Sequence, residues 1–405
     1  SPGLMARADG APGPLWTPAL VALAAANVCF FFGVTMFLLL PVHLRALGAD
    51  ELEIGLVMGC GGLGSALGFP LCGVLGDRHG RRPFLLGGYA LMAACALAFL
   101  ATRSLPLLGV LRFVQGIGFA AGLVAGMAMV ADLAPEGRLA EAIGLYGISS
   151  IVTHALGPTC AEALAARWGF SAVFAFSALL STFGLAALAR VRETHVAKPR
   201  AFGTWESGPS IFRIALRPEL RAPLAGALLA ATAFGSVITF LPDYATLRGL
   251  WPVSPLFIGY TIAAIGVRLR FGHLSDRVGR RRVALPTFFG YSASVLALAG
   301  ITAGWQLWPI GLLLGASHGL CYPALNAMAI ERAEPAVRGR AMSLYNLAFS
   351  LGVTLGAFGF GPIAHAAGYP TMYLVSSAVV LLGAAVVARD DRGGEGWATL
   401  EVSVE

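Results

Sequence analysis

Apolar residues run through this chain in blocks about 20 residues long, without the alternation of a half-buried strand. The blocks fall near 18–43, 52–76, 83–102, 105–131, 141–165 and 170–190. After a polar stretch they resume near 222–247, 254–274, 283–303, 306–330, 340–365 and 369–388. Each is long enough to cross the hydrocarbon core of a bilayer, which takes about 20 apolar residues. A bilayer core offers no water to backbone amides, so a spanning block of this kind is a helix. The pattern predicts an all-α integral membrane protein of twelve transmembrane helices in two six-helix, pseudo-symmetric halves. The expected division is a disordered N-terminal segment or cloning remnant (1–17), a first half (18–190), a cytoplasmic linker (191–221), a second half (222–389) and a cytoplasmic tail (390–405).

The polar positions set the orientation. Alternate loops carry Arg78, Arg81, Arg82, Arg138, the linker cluster, Arg277, Arg280, Arg281, Arg282, Arg332, Arg338 and Arg340, whereas the opposite loops carry Arg45, Arg103, Arg167 and Arg248. The basic side of a multi-pass protein is cytoplasmic, which puts both termini and the linker inside, in a bacterial-type inner (plasma) membrane.

One polar knot occurs twice. Gly73-x-Leu75-x-Asp77-Arg78-x-Gly80-Arg81-Arg82 returns 199 residues later as Gly272-x-Leu274-x-Asp276-Arg277-x-Gly279-Arg280-Arg281. A knot this short holds two helices close: its glycine permits a tight turn, and its aspartate suits a helix start. At the same offset Asp132 matches Glu331, and Leu145-Tyr146 matches Leu344-Tyr345. Six spans separate the copies, so the halves share one topology, an arrangement that puts a substrate site at their interface near mid-membrane.

Composition narrows the class. The chain is 57% hydrophobic and 12% charged, with mean hydropathy +0.76; an average soluble domain is about 25% charged. The net charge of +7 comes from arginines gathered in loops, with Lys198 the single lysine, so it signals topology and no nucleic-acid partner. The six cysteines are scattered singly without ligand spacing, which predicts free thiols and no metal or other cofactor. No cleavable signal peptide is evident, and no phosphate-binding loop points to ATP. Gly59-x-Gly61-x-x-Gly64 and Gly315-x-Ser317-x-Gly319 fit soluble-enzyme motifs by spacing, but each lies inside an apolar span; both are small-residue packing.

With these residues in view, the chain resembles the major facilitator superfamily of transporters over nearly its whole length. The doubled knot is similar to that superfamily's cytoplasmic loop signature. Leu108-x3-Arg112-x2-Gln115-Gly116-x-Gly118-x-Ala120-Ala121 is similar to the fourth-span signature of proton-coupled members. Gly157-Pro158 is part of a fifth-span signature of drug exporters, although Thr153, Ala161 and Glu162 replace its other glycines. The resemblance implies a proton-coupled carrier working by alternating access, with the proton as coupling ion. It also implies export of a small organic or amphipathic compound, such as a drug or metallophore. The alternative within transport is a proton-coupled importer or facilitator of a sugar or organic acid. A membrane sensor or scaffold with a carrier fold is the alternative outside it, and would show a long soluble extension and an uncharged cavity. No enzyme is indicated. The expected partners are a small-molecule substrate and the lipid bilayer, for a monomer.

Intramembrane polar residues are costly and mark function or helix contacts. Arg112 shares a face of span 4 with Gln115. On span 5, Ser150, His154 and Glu162 form a stripe; His154, with an ordinary pKa of about 6.5, suits reversible protonation, and Glu162 either pairs with Arg112 or sits in the outer headgroup region. Span 1 offers Asn27 and Phe31 where drug antiporters often carry an acid. Ser236 and Asp243 on span 7, Arg268 on span 8, His318, Tyr322 and Asn326 on span 10, and Asn346 on span 11 complete the cavity candidates. A cytoplasmic gate is expected from Gly73, Asp77, Arg78, Gly80, Arg81 and Asp132, with Gly272, Asp276, Arg277, Gly279, Arg280 and Glu331 as its second copy. Gly118, Gly122, Gly126, Gly352 and Gly356 allow close helix approach.

Overall fold

A computed structural model describes residues 17–135, 138–194, 211–271, 277–334 and 337–390, and every regular element among them is helical. The rods follow the apolar blocks: α1 Pro18–Ala46, α2 Glu51–His79, α3 Arg82–Ala101, α4 Leu105–Leu133, α5 Leu139–Trp168, α6 Phe170–Leu188, α7 Pro218–Leu247, α8 Ser254–Phe271, α9 Arg280–Ala299 and α10 Leu307–Arg332. One continuous stretch, Arg338–Ala388, is broken at Gly368 (φ +79°) into α11 (338–367) and α12 (369–388). Residues 1–16 and 391–405, most of the linker, and the gate candidates Gly272 and Asp276 lie outside the described residues.

Local chemistry sets the ends. Thr17 caps α1, its hydroxyl accepting from the Leu20 N–H at 3.3 Å. Asp50 and Glu53 form a reciprocal capping box at the start of α2 (2.8 and 3.0 Å), each satisfying an amide that the first helical turn leaves without a partner. The two knots both turn on a glycine with positive φ, +94° at Gly80 and +102° at Gly279, a conformation that a side chain resists. In the first knot Asp77 belongs to the last turn of α2, and Glu193, beyond α6, accepts from the Arg81 and Arg82 N–H groups (3.1 and 2.9 Å).

Among the described residues, eight helices are long and apolar enough to cross a membrane, the stretch 338–388 counting as one. The rods outside that set are α5, α8 and α10, which hold His154, Glu162, Arg268 and His318. Large apolar side chains stand exposed around the outside, among them Leu71 and Val74 on α2, Val110 on α4, Phe183 on α6 and Leu296 on α9. An outward apolar surface is what a lipid environment requires and what a water-soluble domain avoids.

Packing repeats with the sequence. In the first set α2 rests on α4, α4 on α3, α3 on α6, and α6 and α5 on α1; α8 rests on α10 and α10 on α9 in the second. There α12 ties to α9 through Ser377–Ser292 (Oγ–Oγ 2.8 Å) and to α7 through Ser376–Ser236 (2.8 Å). The sets meet along α2 with α11 and α5 with α8. Small residues permit the first contact: a Cβ at Gly55 would lie 2.6 Å from the Ala357 carbonyl oxygen.

Candidate functional site

A cavity of about 200 Å³ lies at the seam between the sets. α1 supplies Phe31, Thr35 and Phe37; α2 Met58, Gly61, Gly62 and Ser65; α4 Arg112, Gln115 and Phe119; α5 His154; α7 Ile238 and Thr239; and α11 Val353 and Thr354. Both sets therefore contribute walls, and no Asp or Glu is among the lining residues.

Arg112 dominates its chemistry. Its Nη1 donates to Gln115 Oε1 at 2.5 Å, one turn along α4. The guanidinium carbon stands 5.7 Å from the Phe37 ring centroid, within cation–π range. Beneath it is Gly61, where a Cβ would stand 3.0 Å from Nη2. The Nε–H of Arg112 and the amide nitrogen of Gln115 are buried without an acceptor. The Gly61 stretch, helix packing by its sequence, thus has a second consequence: α2 leaves the space that the guanidinium occupies.

His154 faces the same cavity, with Nδ1 3.3 Å from the Ser150 carbonyl oxygen and its ring 6.0 Å from that of Tyr260 on α8. Thr35 fastens α1 to α5 beside it, its hydroxyl donating to the Thr153 carbonyl (2.8 Å). Of the residues singled out from sequence, Phe31, Arg112, Gln115 and His154 share this cavity.

The others fall elsewhere. Asn27 is buried, its amide reaching Ser149 and Ser150 Oγ (2.8 and 2.9 Å), a tie between α1 and α5. Ser236 ties α7 to α12, as above. His318, Tyr322 and Asn346 gather within the second set. The Tyr260 hydroxyl and His318 Nδ1 are 2.8 Å apart, Tyr322 donates to Asn346 Oδ1 (2.9 Å), and His318 lies parallel to Phe349 with centroids 5.7 Å apart. His318 Nε2 and Asn326 Oδ1 are buried without partners. Arg268 bonds weakly to the Gly319 carbonyl (3.4 Å).

Two candidates stand at the end of the bundle away from the arginine knots. Glu162 does not meet Arg112: its carboxylate accepts from the backbone N–H groups of Val253 and Ser254 (2.7 and 2.9 Å) at the start of α8. Asp243, fully buried on α7, takes Arg45 of α1 (Nη2–Oδ2 2.7 Å) and the Tyr369 hydroxyl. Arg45 also pairs with Glu51 (2.6 Å), and His365 stands 3.4 Å from Glu51. By sequence Arg45 is an ordinary loop charge. Its signal would have been an arginine four residues after Pro41, close to a span end, in a chain with a buried acid on the outer part of span 7.

At the arginine-rich end, Arg81 pairs with Asp132 and donates to the Ala128 carbonyl (2.6 Å). At the repeat offset Arg280 pairs with Glu331 (2.8 Å). These pairs join the knot to α4 within the first set and to α10 within the second. Arg81 and Asp132, both expected at a cytoplasmic gate, are thus paired with one another inside the first set. Gly73, Arg78 and Arg277 stand on the same knots.

Comparison with known proteins fits this picture. The Major Facilitator Superfamily profile matches residues 21–267 and 251–401. "Multidrug resistance protein MdtG" of Dickeya zeae (strain Ech586) is 28% identical over 374 residues, covering 88% of this chain and 90% of that protein. The protein of the same name from Serratia proteamaculans (strain 568) is 27% identical over 377 residues, covering 88% and 90%. Among solved structures, a point mutant of the nucleoside transporter NupG superposes with TM-score 0.76 at 13% identity, covering 93% of this chain and 100% of that one.

Proposed function

The chain belongs to the Major Facilitator Superfamily, and from that premise we propose that it is a proton-coupled exporter of small amphipathic organic compounds. It is a transporter and no enzyme, and a multi-pass membrane protein. In this reading twelve helices form two halves, 18–190 and 222–389, that rock about the central cavity with both termini in the cytoplasm. The proton is the sole coupling ion, no cofactor is needed, and the monomer suffices.

The observation that carries the reading is the cavity at the seam, walled by both sets and holding Arg112, Gln115 and His154. Polar groups are placed at such depth at a cost that a static scaffold has no reason to bear. The outer end supports a rocking motion, because Arg45–Asp243 and Glu162–Val253/Ser254 join the halves there. A carrier closed at its outer end has these ties and breaks them on opening outward. Opening the outer end would strip Glu162 of its two amide donors and free its carboxylate to take a proton or approach Arg112. His154, already in the cavity, is the second proton carrier. Export as the direction rests on the multidrug resistance relatives at 27–28% identity.

The test is a proteoliposome assay with a trapped pH-sensitive dye and an amphipathic substrate. Substrate-triggered proton movement is expected, lost in His154→Ala and lost in Glu162→Gln with binding retained. Proton movement unchanged in both variants would remove them from the coupling path.

A further inference from the structure

The cavity is electrically unbalanced. Its lining residues include one permanent cation, Arg112, a histidine, and neither aspartate nor glutamate. A guanidinium in a low-dielectric interior is costly unless a counter-charge or a full set of acceptors meets it. Arg112 has little of either. Nη1 reaches Gln115 Oε1 (2.5 Å), the Phe37 face stands 5.7 Å away, and Nε–H is buried without an acceptor.

Nearby groups do not make up the deficit. Gln115 is 2% exposed, its carbonyl oxygen already holds Arg112, and its amide nitrogen is a second buried donor without a partner. Three of the cavity's hydroxyls donate to backbone, Thr35 to the Thr153 carbonyl (2.8 Å), Ser65 to Gly61 (2.7 Å) and Thr354 to Ser350 (2.8 Å), and no hydroxyl there carries the negative charge that Arg112 lacks. The site has surplus donors, one surplus positive charge and no spare anion.

The rest of the wall is aromatic and apolar. Phe31 and Phe119 meet edge to face with centroids 5.6 Å apart, and Phe37 and Met58 join them. An occupant that balances this site pairs an apolar, ring-bearing body with one anionic group of planar acceptor geometry, the shape that a guanidinium fork matches. A cationic amphiphile would add like charge against Arg112. A neutral one would leave it uncompensated.

We propose that the cavity selects amphipathic organic anions, with the anionic group held by Arg112 and Gln115 and the apolar body lying between Phe31, Phe37 and Phe119. The proposal rests on the carrier reading above and names its substrate class. Binding then does two things at once, filling the apolar volume and neutralising the buried cation, so that the loaded carrier can reorient without an exposed charge.

The experiment is calorimetric titration of the purified full-length carrier with three matched probes: naphthalene-1-acetate, naphthalene-1-acetamide and naphthalen-1-ylmethylammonium. The acetate is expected to bind at least about tenfold more tightly than the amide, a difference of ~1.4 kcal/mol, with the ammonium weakest. Arg112→Gln should bring acetate and amide to the same affinity without weakening the amide, and Arg112→Lys should keep part of the preference. A structural role alone would weaken all three probes together. If Arg112→Gln does not fold, Gln115→Leu, which leaves the charge in place, should narrow the preference. Wild-type protein that binds the amide or the ammonium as well as the acetate, or that does not bind the acetate, overturns the proposal; so does a preference that survives Arg112→Gln. Uptake of the same probes into proteoliposomes separates the two claims. Gradient-driven uptake of the ammonium alone would leave the carrier standing and sink the anion preference, whereas tight acetate binding with no uptake of any probe would do the reverse.

Discussion

Arg45 and Asp243, 198 residues apart, close on one another through two parallel contacts, Nε–Oδ1 at 3.0 Å and Nη2–Oδ2 at 2.7 Å. Asp243 is fully buried, and Arg45 retains a quarter of its side-chain exposure. The pair links α1 to α7 across the seam. Asp243→Asn leaves Arg45 half-buried with one carboxylate, Glu51, and is expected to weaken outer closure by ~1–3 kcal/mol, below the cost of breaking a wholly buried pair. Spin labels at Arg103 and Trp305, on outer loops of the two sets, should report a longer-distance population in the variant, in a background lacking the six cysteines. An unchanged distance distribution would show that the pair is not a latch.

Glu162 holds the start of α8 by two short backbone bonds, where the helix dipole also favours its charge. Glu162→Gln keeps one acceptor oxygen and loses the charge, a loss of ~1 kcal/mol. Glu162→Ala loses both bonds and should open the same labels further than Glu162→Gln. Equal effects would assign the contact to shape alone.

Gly61 and Gly87 make a controlled comparison. A Cβ at Gly61 meets Arg112 Nη2 at 3.0 Å, whereas nothing stands within 4 Å at Gly87. Gly61→Ala should displace the guanidinium and weaken ligand binding about tenfold, ~1.4 kcal/mol, while Gly87→Ala leaves binding unchanged. Titration with the probe that binds wild type best decides it, and equal affinities in the two variants would contradict the placement of Arg112.

The two knot braces differ in exposure. Asp132 is 29% exposed and Glu331 is 54% exposed. Asp132→Asn should therefore cost more in thermal stability than Glu331→Gln, the latter within the ~0–1 kcal/mol of a surface pair. Unfolding midpoints in the same detergent measure it; a larger loss from Glu331→Gln would contradict the ranking.

Much of the fold was legible in the chain, because a bilayer leaves the backbone few choices: the apolar blocks became rods, and the offset of 199 that relates Arg81 to Arg280 and Asp132 to Glu331 also relates the pairs they form. The cavity was partly legible. Arg112, Gln115 and His154 stand out as polar groups in apolar spans, and Phe31 as part of an aromatic cluster. What the sequence hid was partnership across the seam. Arg45–Asp243 and Glu162–Ser254 link residues 198 and 92 positions apart with no repeat or helical period relating them. Asn27 and Ser236 looked like cavity polars because helix-tying and cavity-lining residues share one periodicity. Nor does the first knot reveal in sequence that α2 continues through Asp77 and that Glu193, more than 100 residues on, accepts from the first amides of α3.

Proton-coupled carriage is measured by the dependence of uptake on an imposed pH gradient in proteoliposomes. An amphipathic substrate should accumulate in vesicles with an acid lumen, reversing the gradient should drive it out, and a protonophore should abolish both. Uptake at one rate whatever the gradient would contradict proton coupling and leave a facilitator.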